Sequence, residues 1–397
     1  SYDDVTPAAD GRLVNAQYNN GSQQFSYSQR GFLKNHTINA GGRNFAFVYE
    51  YNDMGRQTAV TYPDGTRQSR EYTLNGLVER IDGIIDKIDY DARNLPVRIE
   101  FANDIITTIE YEPGVGHIRK QRTVAGNGTV MEDVTFTFDE LMQLIGRSDS
   151  APGVQQNISY KYDDLNQLKQ ASGTDATGSY TLGYSYSNGY NLSATDESQW
   201  NLGYNDGVRP DRLSDITRPG EAIFNVNYDA NGNMKNMPGR EFSFNFKNQL
   251  EQVTLGDGSV VKYDYDYRGN RVRRSVTRNG ITTDTIFLGR LTEFRSGQYT
   301  NFVILNKRRI AVINNGRKRW IHTGPAGSAN FFSDENGTKI SQIAYHPYGS
   351  ERSRSGAPAI RTFALHDYDD EIGLIYMGYR WYSPETGRFI TPDPLYL

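Results

Sequence analysis

The sequence predicts an all-β chain built from stacked hairpins, and three observations lead to this prediction. An aromatic-x-aromatic step recurs about every 22 residues along most of the chain, each time followed by a short turn and an apolar position. The chain is rich in residues that favour strands, with 28 Tyr and 18 Phe, and in turn formers, with 39 Gly. Its mean hydropathy of −0.68 fits a large sheet with one solvent-exposed face better than a compact core.

Each repeat has the residue pattern of one hairpin. Tyr160-Lys161-Tyr162 places two aromatic side chains on one face of a strand, because side chains alternate along it. Asp163 and the residues after it suit a tight turn, and Leu168 then begins the return strand. Clear further copies lie at residues 49–56, 228–233 and 265–271. One copy alone would fit an ordinary strand with core aromatics, but a dozen copies at one spacing indicate a repeat architecture.

Stacked hairpins give one long antiparallel sheet, and strand twist makes such a sheet spiral. We therefore expect a hollow shell whose inner wall carries tyrosines, since a tyrosine is apolar in its body and can hydrogen-bond at its tip. With 397 residues the shell could be incomplete, or close by pairing with another chain through an exposed edge strand.

Several classes of function have no signal in the sequence. There is no cysteine, hence no disulfide frame and no thiol nucleophile, and no apolar run approaches the roughly 18 residues of a membrane span. The five histidines show no metal-ligand spacing, and no phosphate loop or other cofactor motif occurs. The basic runs at 307–309 and 317–319 fit solvated strand edges better than a nucleic-acid site. We therefore expect no metal, cofactor or nucleic acid.

The last 37 residues, 361–397, hold the candidate chemistry. They carry Asp369, Asp370 and Asp393, with Arg380 between the two acidic sites. Two carboxylates held close share a proton, so that the ionised one activates a water and the protonated one donates to a peptide carbonyl. Arg380 could orient a carboxylate or support the oxyanion. Judged by residue types alone, a buried ion-pair cluster that shapes this segment is the stronger interpretation.

This segment resembles the core of the Rhs, or YD-repeat, family. The family pattern Y-D-x-E-T-G-L, R-Y-Y-D-P-x-T-G-R-F and P-D-P-x-x-L is matched at residues 368–374, 380–389 and 392–397. The upstream Tyr-Asp steps, such as Tyr228-Asp229, resemble the family's repeats. One departure is Ser383, which stands where the family usually has Asp and cannot supply a carboxylate.

The resemblance implies a β-shell and a self-cleaving aspartic peptidase that acts once, in cis. It implies a cut just past the P-D-P, so that Leu397 would be a self-made terminus rather than a chosen boundary. Asp393 would be one catalytic carboxylate and Asp369 the other by alignment, with Asp370 as the alternate, because neighbouring residues of a strand face opposite sides. Arg380 would assist the cleavage by orienting a carboxylate or supporting the oxyanion.

The resemblance also divides the chain and suggests its function. We expect a repeat shell at 1–285, a transition at 286–358 and the self-cleaving domain at 359–397. The first hypothesis is a bacterial toxin shell that encloses its own cleaved C-terminal toxin, as in type VI Rhs effectors and insecticidal complex C subunits. Its partners would include secretion or adaptor proteins and a fragment or chain that completes the shell, and it would be secreted or delivered from a bacterium. The alternative is a YD-repeat surface adhesion module without cargo.

Overall fold

The computed structural model describes residues 2–3, 11–152, 154, 156–175, 178–187 and 190–393. All regular elements among them are strands, forty in number, in four antiparallel sheets. A search of these residues for a helix long and apolar enough to cross a membrane finds none. The predicted all-β fold is confirmed.

The first two sheets in the chain differ greatly in size. Strands β1 (Tyr2–Asp3) and β2 (Arg12–Leu13) pair only with each other. The next twenty strands form the large sheet: β3 (Asn15–Tyr18), β4 (Gly21–Tyr27), β5 (Leu33–Ala40), β6 (Arg43–Tyr51), β7 (Gln57–Thr61), β8 (Arg67–Tyr72), β9 (Val78–Ile81), β10 (Ile85–Tyr90), β11 (Pro96–Phe101), β12 (Ile106–Tyr111), β13 (Ile118–Val124), β14 (Val130–Phe138), β15 (Leu144–Asp149), β16 (Gln156–Tyr162), β17 (Leu168–Asp175), β18 (Gly178–Tyr186), β19 (Leu192–Thr195), β20 (Trp200–Gly203), β21 (Asp215–Thr217) and β22 (Phe224–Asn225).

The remaining strands form two further sheets. The second sheet has thirteen strands: β23 (Asn236–Met237), β24 (Arg240–Phe244), β25 (Leu250–Leu255), β26 (Val260–Tyr265), β27 (Arg271–Arg278), β28 (Ile281–Leu288), β29 (Thr292–Arg295), β30 (Gln298–Leu305), β31 (Arg308–Asn314), β32 (Arg317–Thr323), β33 (Ala329–Ser333), β34 (Lys339–Tyr345) and β35 (Glu351–Ser355). The C-terminal sheet has five: β36 (Thr362–Phe363), β37 (His366–Asp369), β38 (Leu374–Met377), β39 (Arg380–Ser383) and β40 (Arg388–Phe389).

Within each sheet consecutive strands are neighbours, so each repeat is a hairpin stacked on the next, as predicted. The large sheet follows chain order and closes on itself. The repeat tyrosine that precedes a turn ties neighbouring hairpins together, because its hydroxyl donates to a main-chain carbonyl of the preceding repeat. Examples are Tyr72 to Gln57 O at 2.6 Å, Tyr162 to Leu144 O at 2.9 Å and Tyr228 to Leu213 O at 2.8 Å.

The residue after the repeat tyrosine shapes the turn. Asp163 Oδ1 accepts the main-chain N–H of Leu165 at 2.9 Å and that of Gln167 at 2.8 Å. Asn166, the last turn residue, has a φ of 63°, a left-handed value that Asn tolerates. The predicted side-chain bonds and positive φ of these turns are thus present.

An antiparallel sheet has two rims, each made of every second turn. In the large sheet, several described turns after odd-numbered strands contact the second sheet, and we call the rim formed by turns after odd-numbered strands the covered rim. Trp320 Nε1 donates to Ile84 O at 2.8 Å, and Tyr62 OH donates to Phe302 O at 2.9 Å. Asn103 Nδ2 donates to Ser333 Oγ at 3.0 Å. Turns after even-numbered strands form the opposite, open rim.

The interior of the shell is part packed and part open. Three apolar clusters join the large and second sheets, and one of them also includes Leu374 and Trp381 of the C-terminal sheet. A cavity of about 980 Å³ lies between the walls, and its lining includes the repeat tyrosines Tyr111, Tyr160 and Tyr162. This agrees with the expectation of tyrosines on the inner wall.

Candidate functional site

The C-terminal sheet is anchored to the second sheet by aromatic residues. Trp381 on β39 is buried, and its ring centroid lies 4.8 Å from that of Tyr263 on β26. Trp381 Nε1 also donates to the hydroxyl of Tyr265 at 3.2 Å. These contacts fix the position of β39, the strand that begins with Arg380.

Asp369 lies at the centre of this interface and is 1% exposed. Arg271 Nη1 donates to its Oδ2 at 3.0 Å, and Arg274 Nη1 donates to its Oδ1 at 2.8 Å. The hydroxyl of Tyr263 donates to Oδ2 at 3.0 Å, and burial together with the charge of Asp369 raises the pKa of Tyr263 well above its usual value. Each carboxylate oxygen of Asp369 is therefore bound by a different arginine of β27.

Aromatic rings surround Arg271, one of the two arginines that bind Asp369. The guanidinium carbon of Arg271 lies 3.8 Å from the ring centroid of Phe287 and 4.8 Å from that of Tyr376. Two residues before Asp369, on the same face of β37, Asp367 pairs with Arg309 Nη1 at 2.5 Å. Two carboxylates of β37 thus meet three arginines of the second sheet, in a largely buried ion-pair cluster that orients the C-terminal sheet.

Asp370 has a different environment from its neighbour. Its side chain is 60% exposed and pairs with Arg361. Partial burial raises the pKa of its carboxyl group, while Arg361 opposes that shift.

Arg380 and Asp393 are brought together by the fold. Arg380 Nη2 lies 3.2 Å from Asp393 Oδ2, and the two side chains are 26% and 33% exposed. The guanidinium carbon of Arg380 lies 3.7 Å from the ring centroid of Phe389, and this cation–π contact also holds Arg380 in place. A pocket of about 240 Å³ adjoins this pair; its lining includes Arg380, Thr391, Pro392, Lys247 and Arg268.

Two further predicted positions complete the site. Ser383, at the family's usual Asp position, is fully buried, and its Oγ accepts the main-chain N–H of Thr386 at 3.3 Å. It therefore supports the turn before β40. Leu397, the predicted cleavage position, lies outside the described residues.

Sequence reasoning did not single out Arg271, Arg274 or Tyr263. A signal was available, since the Tyr-x-Tyr step at 263–265 is followed by the arginine-rich run R-V-R-R at 271–274. That signal is local, whereas the partner Asp369 follows almost a hundred residues later. Among the described residues, no group of three or more His, Cys, Asp or Glu is placed to hold a metal ion.

Comparison with known proteins places the chain among YD-repeat proteins. The family model described as teneurin YD-shell matches residues 69–397. The toxin subunit YenC2 of Yersinia entomophaga is 23% identical over 86% of this chain and 43% of its own length. Teneurin-1 of Gallus gallus is 24% identical over 94% of this chain and 14% of its own length. The chain thus spans less than half the length of these relatives.

A solved structure supports the fold independently. The structure of the Photorhabdus luminescens Tc holotoxin pore superposes with a TM-score of 0.84 at 19% identity, over 98% of this chain and 23% of that chain. At this level of identity the similarity establishes a common fold, the spiral β-shell.

Proposed function

The chain belongs to the teneurin YD-shell family, and from that membership we propose that it forms part of the wall of a bacterial toxin shell. The observation that carries the proposal is the twenty-stranded sheet, which closes on itself and, together with the second sheet, lines a cavity between them. The toxin subunit YenC2, which is similar over most of this chain, supports a toxin as the enclosed cargo.

The cavity is much smaller than a folded protein domain. Its volume of about 980 Å³ is at the upper end of pockets for small ligands, roughly 300–1,000 Å³. A folded domain of 100 residues has a radius of gyration of about 13 Å and is far larger. A folded cargo of domain size therefore does not fit within this cavity.

We further propose that the shell releases its cargo by cutting its own chain after Leu397. The ion pair between Arg380 and Asp393 supports this, because it holds a carboxylate a few residues before the proposed cut. In the proposed reaction one carboxylate takes a proton from the attacking water, and a protonated one donates to the scissile carbonyl. The proton held by the first carboxylate then passes to the leaving amine, so the reaction consumes one water and no cofactor.

The second carboxylate is Asp369 or Asp370, and their environments favour Asp370. Both oxygens of Asp369 already accept hydrogen bonds from arginines, so we propose that Asp369 acts as a positioning residue. Asp370 is accessible and its pKa is raised, which suits a proton donor.

The test is to express the chain extended through its natural downstream sequence, in a host without partner proteins. Wild type should yield two fragments, with intact mass locating the cut after Leu397. Asp393→Asn keeps the shape but removes the titratable carboxyl, so this variant should remain one polypeptide, and Arg380→Ala should slow the cut or abolish it. Cleavage of purified Asp393→Asn at the wild-type rate would refute the aspartic mechanism.

Two matched variants then identify the second carboxylate. Asp370→Asn should abolish cleavage without lowering the melting temperature, whereas Asp369→Asn should lower the melting temperature and slow cleavage with an unchanged pH profile. Ser383→Ala, at a position without a carboxylate, should still be cut. The opposite outcome for the two Asp variants would reverse our assignment.

An adhesion module is the second candidate, and the similarity of teneurin-1 over 94% of the chain favours it. An adhesion module requires the shell but no self-cleavage of the chain. If the extended chain remains intact and the purified protein binds cell surfaces, adhesion replaces the toxin proposal.

A further inference from the structure

The small pocket beside Arg380 is lined by cations and by hydrogen-bond donors. Three of its lining side chains are positively charged, namely Lys247, Arg268 and Arg380, and none of the described residues that line it is Asp or Glu. Its volume of about 240 Å³ is below the roughly 300–1,000 Å³ of pockets for drug-sized ligands. A small anion is therefore the class of ligand that this lining fits.

Two neighbouring repeat turns of the second sheet supply Lys247 and Arg268. Asn245 Oδ1 accepts the main-chain N–H of Lys247 at 2.9 Å, and Asp266 Oδ1 accepts that of Arg268 at 2.9 Å. The two cations thus occupy the same position in the turns after β24 and after β26. Because neighbouring strands lie about 4.8 Å apart, these turns are about 10 Å apart, and two long side chains can reach one ligand between them.

The acidic residue of the repeat turn leaves Arg268 without a carboxylate. In the turn after β10, Arg93 has the same position as Arg268, and its Nε and Nη2 donate to Asp91 Oδ2 at 2.9 and 2.8 Å. Asp266 Oδ2 instead accepts Nε2 of Gln23 in the large sheet at 3.2 Å. The carboxylate of Asp266 is therefore used to join two sheets, and the exposed guanidinium group of Arg268 remains available to a ligand.

The turn that carries Lys247 has no carboxylate at the corresponding position, because that residue is Asn245. The side chain of Lys247 is exposed. In the part of the chain that the structure describes, no ion pair includes Lys247 or Arg268, whereas Arg380 pairs with Asp393. The positive charge of the two turns is thus not balanced within the pocket.

The amide side chains in the lining present mainly their nitrogen atoms to the pocket. Asn248 Oδ1 accepts Nδ2 of Asn231 at 2.8 Å and Nδ2 of Asn233 at 2.9 Å. Gln249 Oε1 accepts Nδ2 of Asn245 at 3.0 Å. Since these oxygens are engaged, the groups that both amides offer a ligand are mainly N–H donors. Donors and cations together fit the oxygen atoms of a phosphate group.

We propose that this pocket binds a phosphate group, free or carried by a small ester, between Lys247, Arg268 and Arg380. Arg380 also pairs with Asp393 at 3.2 Å, so a bound phosphate competes with Asp393 for the same guanidinium group. The competition slows self-cleavage, and this second part rests on the proposed role of Asp393 in cutting the chain. Binding of the phosphate group does not depend on that role.

The first experiment measures the binding of inorganic phosphate to the natural full-length protein by isothermal titration calorimetry, with NaCl keeping the ionic strength constant. Saturable binding is expected, and Lys247→Gln combined with Arg268→Gln should raise the dissociation constant at least tenfold. Arg93→Gln is the matched control, because Arg93 has the same turn position but is already paired with a carboxylate; it should change the dissociation constant less than twofold. No saturable binding, wild-type affinity of the double variant, or equal weakening by Arg93→Gln overturns the site.

Phenyl phosphate distinguishes the two sources of a phosphate group. Its ring can stack on Tyr379, which lines the pocket and is 66% exposed. An affinity at least fivefold above that of inorganic phosphate, and lost in Tyr379→Ala, would identify a phosphate ester as the ligand. Equal affinities of the two probes would identify free phosphate.

The second experiment measures self-cleavage of the chain extended through its natural downstream sequence. At constant ionic strength, saturating phosphate should slow the cleavage of wild type at least fivefold. In the double variant of Lys247 and Arg268, the ratio of the rates with and without phosphate should return towards one. Equal slowing of both proteins, or no slowing despite saturable binding, overturns the competition at Arg380. A wild-type chain that is never cut contradicts the self-cleavage proposal, while the titration still decides the phosphate site.

Discussion

Arg271 and Asp369 form a buried ion pair across the boundary between the second and C-terminal sheets, with 3.0 Å between Nη1 and Oδ2. Their side chains are 4% and 0% exposed. Arg274 binds the other oxygen of the same carboxylate at 2.8 Å. One aspartate thus compensates a buried and a largely buried guanidinium group, and this arrangement has consequences for stability that distinguish it from a catalytic carboxylate.

Asp369→Asn should destabilise the protein by about 3 kcal/mol or more, because removing one partner of a buried ion pair leaves charge uncompensated. Asp370→Asn is the matched control; its side chain is 60% exposed, so a change below about 1 kcal/mol is expected. Urea denaturation of both variants measures the difference. Equal effects would contradict the role of Asp369 as the counter-ion of this interface.

Tyr72→Phe should cost about 1 kcal/mol, because it deletes one hydrogen bond between neighbouring hairpins and leaves the carbonyl of Gln57 without that donor. The ring remains, so packing is preserved. Tyr190→Phe provides the control, since Tyr190 is 65% exposed in a turn of the open rim and should change stability by less than about 0.5 kcal/mol. The urea concentrations at the unfolding midpoints of the two variants, relative to wild type, measure the two effects. No difference between the two would show that the repeat hydroxyl is dispensable.

His322 should make the shell less stable as the pH falls. It is stacked on Phe331 with ring centroids 4.3 Å apart, and burial lowers its pKa from 6.5 to about 3, with Lys339 adding to the shift. The unfolded chain therefore binds one more proton than the folded chain between those values. Neutral His322 contributes its full stabilisation above pH 6.5. As the pH falls from 6.5 towards the folded-state pKa, the free energy of unfolding should decrease by about 1.4 kcal/mol per pH unit.

His322→Phe removes this titration while keeping a flat ring between the neighbouring aromatics. The variant should therefore show a shallower dependence of unfolding free energy on pH between 6.5 and about 3, whatever its stability at pH 7. Chemical denaturation at several pH values gives the slopes. Identical slopes for wild type and variant would assign the acid sensitivity to other groups.

The sequence by itself determined the hairpins and their turns, because the signals for these elements are local. Tyr162, Asp163 and Asn166 lie within five consecutive residues and supply the strand end, the turn bonds and the left-handed residue. The covalent chain holds these groups together, so no distant contact is needed to predict them. The stacking of hairpins follows from their repetition, and the fold class was predictable for that reason.

The tertiary structure alone decided which of two similar turns is buried and which acidic residue is an ion-pair partner. Ile84 and Leu74 both lie in hairpin turns, yet Ile84 is 0% exposed and Leu74 is 99% exposed, because the second sheet packs against the turn that contains Ile84. Asp369 is separated by 98 and 95 residues from the arginines that bind it. Its alignment with a catalytic motif could not reveal these partners, since long-range contacts arise from the packing of sheets and leave no pattern in the local sequence.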